Sequence, residues 1–399
     1  RISGRATSRR DGAATGSRAS TASRWLRRSL LSGKRVGERG KMRSHMENTR
    51  ENTATSSVIG NLTAKECDLT RRIRWMVEKI VHPPQKSEAT DYSNLEVHDQ
   101  QGGRYTANYG ENWVRGFDAS GRLGWTCGRK PAAASPLHIE ADLEGPGYLC
   151  RSPDGSILVS CFGNHRIYRV VVERQKAEIL IDGDACGLKD TGYAVVDPKG
   201  QIWVNEVTGC RIWQFDQDGN PVRRLGDGSP GFQADAVPAD QARFNWIYDI
   251  RVGPDGNLYI LDSKNFSLRM LSIEDQVVSC IAGTGSPGYS GDNGDAKYAT
   301  FGSNPAAMFD GPWAMSLDEE GNVFVADTQN HVVRMIERGT NLINTIAGCH
   351  SCQPEQPNPP SLTDPLDLNL PKICGMSYAD GRLYLPDYGG ELVVLRKSY

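Results

Sequence analysis

Three polar side chains stand directly ahead of predicted strands, and their types suit a metal ion. Glu144 and Asp310 each precede a Gly-Pro pair, and Asn245 occupies the corresponding place in a third segment, while Asp190 lies one place later in a fourth. Oxygen ligands that converge from separate segments are what a hard cation such as calcium requires. A bound calcium or zinc ion can act as a Lewis acid on an ester or a lactone. Glu144, Asn245 and Asp310 are therefore the candidate metal ligands.

A second set of residues repeats along the chain in a way that favours a structural role. A carboxylate follows a turn glycine by six positions in several units, with Glu206 at this place in one of them. A feature that recurs with every unit belongs to the fold, and this carboxylate is expected to accept hydrogen bonds from the next turn. The predicted structural signature comprises Asp262, Asp327, Asp387, His165 and His331.

Common catalytic motifs are absent from the sequence. There is no Gly-x-Ser-x-Gly elbow, P-loop or dinucleotide fingerprint, so no catalytic residue is predicted and an enzyme is not favoured. Cys349 and Cys352 form the one close cysteine pair among ten cysteines. Because no second such pair exists to complete a zinc site, their spacing is interpreted as incidental.

Six similar units position these residues. Each has a turn glycine followed by alternating apolar residues, and the glycines recur every 45 to 65 residues. That period is typical of four-stranded blades rather than of helical repeats. The six turn glycines, called anchor glycines below, are Gly102, Gly155, Gly200, Gly256, Gly321 and Gly381.

The repeats predict an all-β fold, a six-bladed β-propeller of four-stranded antiparallel blades over residues 73–399. The last unit ends after its third strand, and an isolated blade would leave its faces and edges unsatisfied. Residues 73–81 form an apolar run ahead of the first unit and are expected to supply the missing strand, closing the ring. Residues 1–72 are predicted to be a disordered basic, Ser-rich leader or targeting segment.

The chain resembles the NHL-repeat β-propeller family. The segments Asn164-His165 and Asn330-His331 match the Asn-His signature of that repeat, and the loop after Cys280 resembles its Gly-rich loop. The resemblance covers residues 94–399 and is strongest in units two to five. It implies a platform that binds other molecules through its loops.

A weaker resemblance links residues 143–146 (Leu-Glu-Gly-Pro) to the first ligand motif of propeller lactonases of the gluconolactonase and senescence-marker type. Those enzymes use a similar Glu, Asn and Asp set around a metal ion. The second-blade Asn-Asp element of those enzymes is not evident here. This resemblance implies a metal-dependent hydrolase or lyase, with the cation in the central channel.

Charge is distributed unevenly along the chain. Residues 1–45 carry 13 Lys or Arg against Asp11 and Glu38, so the remainder is net acidic and RNA binding is not favoured. No apolar run is long enough to span a membrane, and a soluble monomer is expected. A cytoplasmic location is favoured, with organellar targeting by the basic segment as the alternative.

These observations predict a scaffold that binds a protein partner or another macromolecule, with a protein favoured. The loops expected at the mouth of the channel, residues 226–243 and 283–309, would make the contacts. The alternative is the metal-dependent hydrolase or lyase, and the sequence leaves both open.

Overall fold

The computed structural model describes residues 74–81, 95–98, 102–129, 136–303, 311–351, 358–359, 361–370, 372–386 and 391–398. The predicted N-terminal segment 1–72 lies outside the described residues, as do Asp310 and Asp387. Six sheets account for the described strands and confirm the predicted six-bladed β-propeller.

The first strand, β1 (Arg74–Val81), belongs to the last blade. Blade one comprises β2 (Leu95–His98), β3 (Arg104–Asn108), β4 (Trp113–Phe117), β5 (Leu123–Gly128) and the parallel fifth strand β6 (His138–Glu140). Blade two comprises β7 (Pro146–Arg151), β8 (Ile157–Cys161), β9 (Arg166–Val171) and β10 (Lys176–Asp182). Blade three comprises β11 (Thr191–Val196), β12 (Ile202–Glu206), β13 (Arg211–Phe215) and β14 (Pro221–Leu225).

Blade four comprises β15 (Val237–Pro238), β16 (Ile247–Val252), β17 (Leu258–Asp262), β18 (Ser267–Ser272) and β19 (Val277–Ala282). Blade five comprises β20 (Gly294–Asp295), β21 (Ala314–Leu317), β22 (Val323–Asp327), β23 (Val332–Ile336) and β24 (Leu342–Gly348). Blade six comprises β25 (Ser377–Ala379), β26 (Arg382–Pro386), β27 (Leu392–Ser398) and β1. The short strands β15 and β20 pair with the outer strands β19 and β24 of their blades.

Among the described residues, helical structure is confined to single turns in the connections. The α-helix α1 (Gly183–Cys186) leads into blade three. The 3₁₀ turns are Val172–Arg174, Ala239–Gln241, Ser263–Asn265, Ala296–Tyr298, Thr328–Asn330 and Pro365–Asp367. None of the helices in the described ranges has the length and apolar character needed to cross a bilayer.

The ring closes between the two ends of the described chain. Strand β1 pairs antiparallel with β27, from Arg74 opposite Ser398 to Val81 opposite Leu392. Each innermost strand contacts the next, in the order β2, β7, β11, β16, β21 and β25, and β25 contacts β2 again. The apolar core lies between consecutive blades, where, for example, the Trp75 ring of β1 meets Phe324 edge-on at 5.3 Å.

The anchor glycines explain why the repeat is legible in the sequence. All six have a positive φ, between 72° and 86°. Side chains other than glycine are strained there, so the turn between the first two strands of every blade selects glycine. The same local geometry therefore recurs six times.

Candidate functional site

The innermost strand of each blade begins at the face of the ring where the second strand ends. The connections at this face form the mouth of the central channel, and the predicted ligand residues lie in them.

Glu144 lies at the mouth on blade two and is half-buried. Its backbone carbonyl accepts a hydrogen bond from the Gly163 amide at 2.9 Å. A Cβ on Gly163 would come within 2.6 Å of the Glu144 Cγ, so the absence of a side chain at Gly163 makes room for Glu144. Glu144 thus packs against the neighbouring turn of its own blade.

Asn245 lies at the mouth on blade four and is also half-buried. The backbone amide of Asn245 donates to Asp262 Oδ1 at 2.7 Å, and its backbone carbonyl accepts from the Lys264 backbone amide at 3.0 Å. Asp310 lies outside the described residues. Within the described residues, no group of three or more His, Cys, Asp or Glu side chains is placed to hold a metal ion. The metal set therefore stays a prediction.

Asp262 and Asp327 occupy equivalent positions in blades four and five and are fully buried. Besides the Asn245 amide, Asp262 accepts a hydrogen bond from the Asn265 side chain at 2.8 Å. Asp327 accepts from the Gly302 amide and the Asn330 side chain, both at 2.8 Å. Burial raises the pKa of Asp262 to about 7 and that of Asp327 to about 6.

An arginine follows four residues after Asn265 and four residues after Asn330. The sequence analysis did not single out either arginine. Arg269 Nη1 lies 3.4 Å from Asp262 Oδ2, and Arg334 occupies the same place in blade five. The signal was available in the sequence, because Asp, Asn and Arg recur at the same spacing in the two units. The motif is called the buried Asp-Asn-Arg motif below.

His165 and His331 lie in the turns between the second and third strands. Both backbones are left-handed, with φ of 54° and 59°, and the equivalent Cys210 has a φ of 55°. His165 Nδ1 lies 2.8 Å from Asp184 Oδ1, and His331 Nδ1 lies 3.3 Å from the Leu370 carbonyl oxygen. Each imidazole therefore contacts the connection that leads into the next blade.

Half-buried aromatic rings gather at the mouth on blades four and five. The Trp246 and Tyr248 rings lie 6.1 Å apart, and Tyr248 stacks on Trp313 at 5.8 Å. Lys264 Nζ lies 4.7 Å above the Trp246 ring. These four residues are called the aromatic shelf. Sequence reasoning overlooked it, although Trp246 directly follows the predicted ligand Asn245.

The inner strands of blades two, three and four also bring polar and aromatic groups together. Tyr148 and Tyr193 lie with ring centroids 4.0 Å apart, and the Arg251 guanidinium lies 4.3 Å above Tyr193. Asp249 is fully buried, lies 2.9 Å from Arg251 Nε, and accepts a hydrogen bond from the Met315 amide at 2.9 Å. Burial raises the pKa of Asp249 to about 6 against the opposing effect of Arg251. The hydrogen bond from Met315 to Asp249 thus links the inner strands of blades four and five.

Cys349 follows β24 and is disulfide-bonded. Cys352 lies outside the described residues, so the interpretation of the Cys349–Cys352 spacing stays a prediction. Seven further described cysteines form no disulfide bond: Cys127, Cys150, Cys161, Cys186, Cys210, Cys280 and Cys374.

Comparison with known proteins finds no matching family model. One curated relative is Protein SUPPRESSOR OF QUENCHING 1, chloroplastic, from Arabidopsis thaliana, 35% identical over 83 residues. The match covers 21% of this chain and only 7% of the length of that protein.

Solved structures share the fold at low sequence identity. A Bacteroides thetaiotaomicron protein of unknown function has a TM-score of 0.57 at 12% identity, covering 82% of this chain and 77% of that chain. An auxiliary nutrient binding protein from Bacteroides ovatus has a TM-score of 0.56 at 13% identity, covering 82% and 78%. At such identities the likeness extends to the fold alone, and the chain is a six-bladed β-propeller.

Proposed function

We propose that this chain is an NHL-type propeller that binds a protein partner at the channel mouth. The observation that carries the proposal is the aromatic shelf. Tryptophan and tyrosine supply large, rigid contact areas and are enriched among the residues that dominate binding energy at protein interfaces. The rings of the shelf are half-buried, so part of their surface stays accessible.

The chemistry of the shelf favours a protein over a nucleic acid. Lys264 places one positive charge above Trp246, whereas the chain beyond residue 45 is net acidic. RNA recognition by stacking normally combines aromatic rings with a broad basic surface. A protein segment that offers apolar groups beside an acidic group would match both the rings and the lysine.

The test compares partner capture by the native chain with capture by the double variant Trp246→Ala, Trp313→Ala. Quantitative mass spectrometry of cross-linked complexes is expected to show at least about a 10-fold loss of each specific partner, because each ring is expected to contribute about 1 kcal/mol or more. Val222→Ala is the matched control, since Val222 is 54% exposed on the outer strand β14, away from the mouth. Equal capture by the double variant and the native chain, with both folded, would contradict the proposal.

The metal-dependent alternative is tested separately. It rests on Glu144, Asn245 and Asp310, which precede the inner strands of three different blades. Elemental mass spectrometry of the protein purified without chelator measures its calcium and zinc content. The alternative requires a near-stoichiometric metal ion that is lost in Glu144→Ala, and an unchanged metal content in that variant would refute it.

A further inference from the structure

Blade three departs from the buried Asp-Asn-Arg motif of blades four and five. Its second strand ends in Glu206, at the position of Asp262 and Asp327. The two partners are replaced: Gly209 stands where blade four has Asn265, and Trp213 stands where it has Arg269. Blade three therefore keeps the carboxylate and lacks both the amide and the cation that accompany it elsewhere.

A second carboxylate enters the same region. Asp190, 3% exposed, accepts hydrogen bonds on Oδ2 from the Thr208 amide at 3.0 Å and from the Thr208 hydroxyl. Glu206, 1% exposed, accepts from the Lys189 amide at 3.1 Å on Oε1. Burial, with Glu206 among the further causes, raises the pKa of Asp190. Asp190 stands between Lys189, whose amide donates to Glu206, and Thr191, which pairs with Glu206 across the sheet, so the two acidic groups lie close together.

Each of the two carboxylates has one oxygen atom that accepts no hydrogen bond from the described residues. Asp190 Oδ1 and Glu206 Oε2 are buried and accept no hydrogen bond from the described residues. Both groups lie against the Thr208-Gly209 turn, where a Cβ on Gly209 would collide with Glu206 Oε2. The side chain of Lys189 is exposed. Arg211 lies opposite Glu206 on β13, but its guanidinium donates to the Asp227 carbonyl oxygen at 3.4 Å, and within the described residues it forms no ion pair with Glu206 or Asp190. A pair of buried carboxylates without a cation is strongly unfavourable.

We infer that a hard cation of the calcium class binds between Asp190 and Glu206, using the two unpaired oxygens. It replaces in blade three the positive charge that the Arg269 guanidinium supplies beside Asp262 in blade four. Calcium binds oxygen ligands of several kinds, so backbone carbonyls and water would complete the coordination that the two carboxylates begin. This site is separate from the predicted Glu144, Asn245 and Asp310 set, and it does not depend on partner binding at the shelf.

The test measures thermal unfolding of the full chain after treatment with a chelator, with and without added calcium chloride at pH 7.5. Calcium at about 100 times its dissociation constant is expected to raise the unfolding midpoint by about 3–5 °C. Glu206→Gln keeps the size of the side chain and removes its charge. This variant is expected to lose the calcium response. In chelator it should unfold at or above the midpoint of the native chain, because one of two repelling charges is gone.

Asp262→Asn is the matched control, because it removes the equivalent carboxylate of a blade that has its own arginine. It must leave the calcium-induced shift unchanged. Terbium luminescence gives a second measure, since Trp213 lies on the same sheet face as Glu206 and can sensitise a bound lanthanide. Terbium emission is expected in the native chain, to be displaced by calcium, and to be lost in Asp190→Asn.

Two results would overturn the inference. One is a native chain whose unfolding midpoint is indifferent to calcium, together with terbium emission that Asp190→Asn leaves unchanged. The other is a native chain that ignores calcium but becomes more stable as the pH falls from 7.5 to 5, with Glu206→Gln reducing that gain and leaving the part that Asp262 and Asp327 contribute. The second result would show that a proton, rather than a metal ion, neutralises the pair.

Discussion

Blades four and five contain the same buried motif and use its arginine differently. The loops that precede them, residues 226–244 and 283–301, align with a constant shift of 57 residues and share their Gly-x-Gly-Ser-Pro-Gly start. In each loop the proline forms an isolated parallel β-bridge with the phenylalanine at the end of the loop, Pro230 with Phe244 and Pro287 with Phe301. The surrounding architecture is therefore closely matched.

The arginine of blade five turns toward its loop. Arg334 donates to the carbonyl oxygens of Thr300 at 2.9 Å and Ser290 at 2.8 Å, and to Asp292 Oδ1 at 2.7 Å. Asp292 also accepts from the Thr345 amide at 3.2 Å. The guanidinium thereby ties the loop to the third and fourth strands of the blade.

The arginine of blade four has fewer partners. Arg269 makes one 3.4 Å contact with Asp262, and its Nε and Nη2 atoms are buried without a hydrogen-bond acceptor among the described residues. Asp235, the counterpart of Asp292, is exposed. Gln233, which replaces Ser290, instead accepts a hydrogen bond from the Arg243 amide at 2.9 Å. An equal motif therefore produces an unequal network, because the loop residues around it decide which acceptors reach the guanidinium.

The largest expected effect separates the two arginines. Arg334→Met is expected to lower the free energy of unfolding by about 3–5 kcal/mol, because two carbonyl groups and Asp292 Oδ1 lose the donor that Arg334 supplies. Arg269→Met is expected to cost only about 1–2 kcal/mol, since Asp262 keeps the Asn245 amide and the Asn265 side chain. Urea denaturation of both variants measures the difference. Equal losses would show that the extra contacts of Arg334 contribute nothing.

The next effect is a pH dependence of the unfolding free energy, which arises from the carboxyl groups of Asp262 and Asp327. Their pKa values of about 7 and 6 lie above those of an unfolded chain, so the folded form binds more protons. Their contribution to stability is complete below about pH 4 and is lost as the pH rises through 6 to 7, at up to about 1.4 kcal/mol per pH unit for each group. Asp262→Asn should remove the part of this loss of stability that extends to about pH 7, whereas Asp327→Asn should remove a part that ends at about pH 6. Denaturation midpoints from pH 4.5 to 8 measure both curves, and coincident curves would contradict the difference.

A smaller effect is expected from removing Asp292, the acidic residue in the loop that precedes blade five. Asp292→Ala removes the ion pair with Arg334 and the hydrogen bond from Thr345, and is expected to cost about 1–2 kcal/mol because Asp292 is partly exposed. Asp235→Ala in blade four should change the unfolding free energy by less than about 0.5 kcal/mol. Calorimetry of the pair provides the measurement. A similar loss in both variants would mean that the acid acts through its loop rather than through Arg334.

The smallest expected difference concerns equivalent glycines. Gly226 and Gly283 open the two loops with φ of 88° and 93°. A Cβ on Gly226 would lie 2.9 Å from the Cys210 carbonyl oxygen, whereas one on Gly283 would collide more severely with the Phe266 carbonyl oxygen. Gly283→Ala should therefore cost about 1 kcal/mol more than Gly226→Ala, beyond the backbone strain that both share. Thermal unfolding of the two variants measures this difference. A lower midpoint for Gly226→Ala than for Gly283→Ala would contradict it and would show that the loop of blade five relaxes more easily.

Local geometry explains how much of the fold was predictable from sequence. The anchor glycines repeat because each of six turns needs a left-handed residue, and the apolar alternation repeats because each strand packs between two blades. Asp262 and Asp327 were recognised for the same reason, since their position relative to the anchor glycine is a property of one blade. Such features depend only on residues a short distance apart in the chain.

The tertiary structure decided what depends on distant segments. Arg334 meets Asp292 across 42 residues, Arg382 of β26 meets Glu78 of β1 across 304, and the aromatic shelf joins residues of two blades. Whether a buried charge finds a partner depends on which loops the ring brings together, as the unpaired oxygens of Asp190 and Glu206 show. The sequence by itself thus determined the six repeated units and their turns, because these follow from local backbone geometry. Only the tertiary structure determined the charge pairs and the surface at the channel mouth, because these arise from contacts between segments that lie apart in the chain.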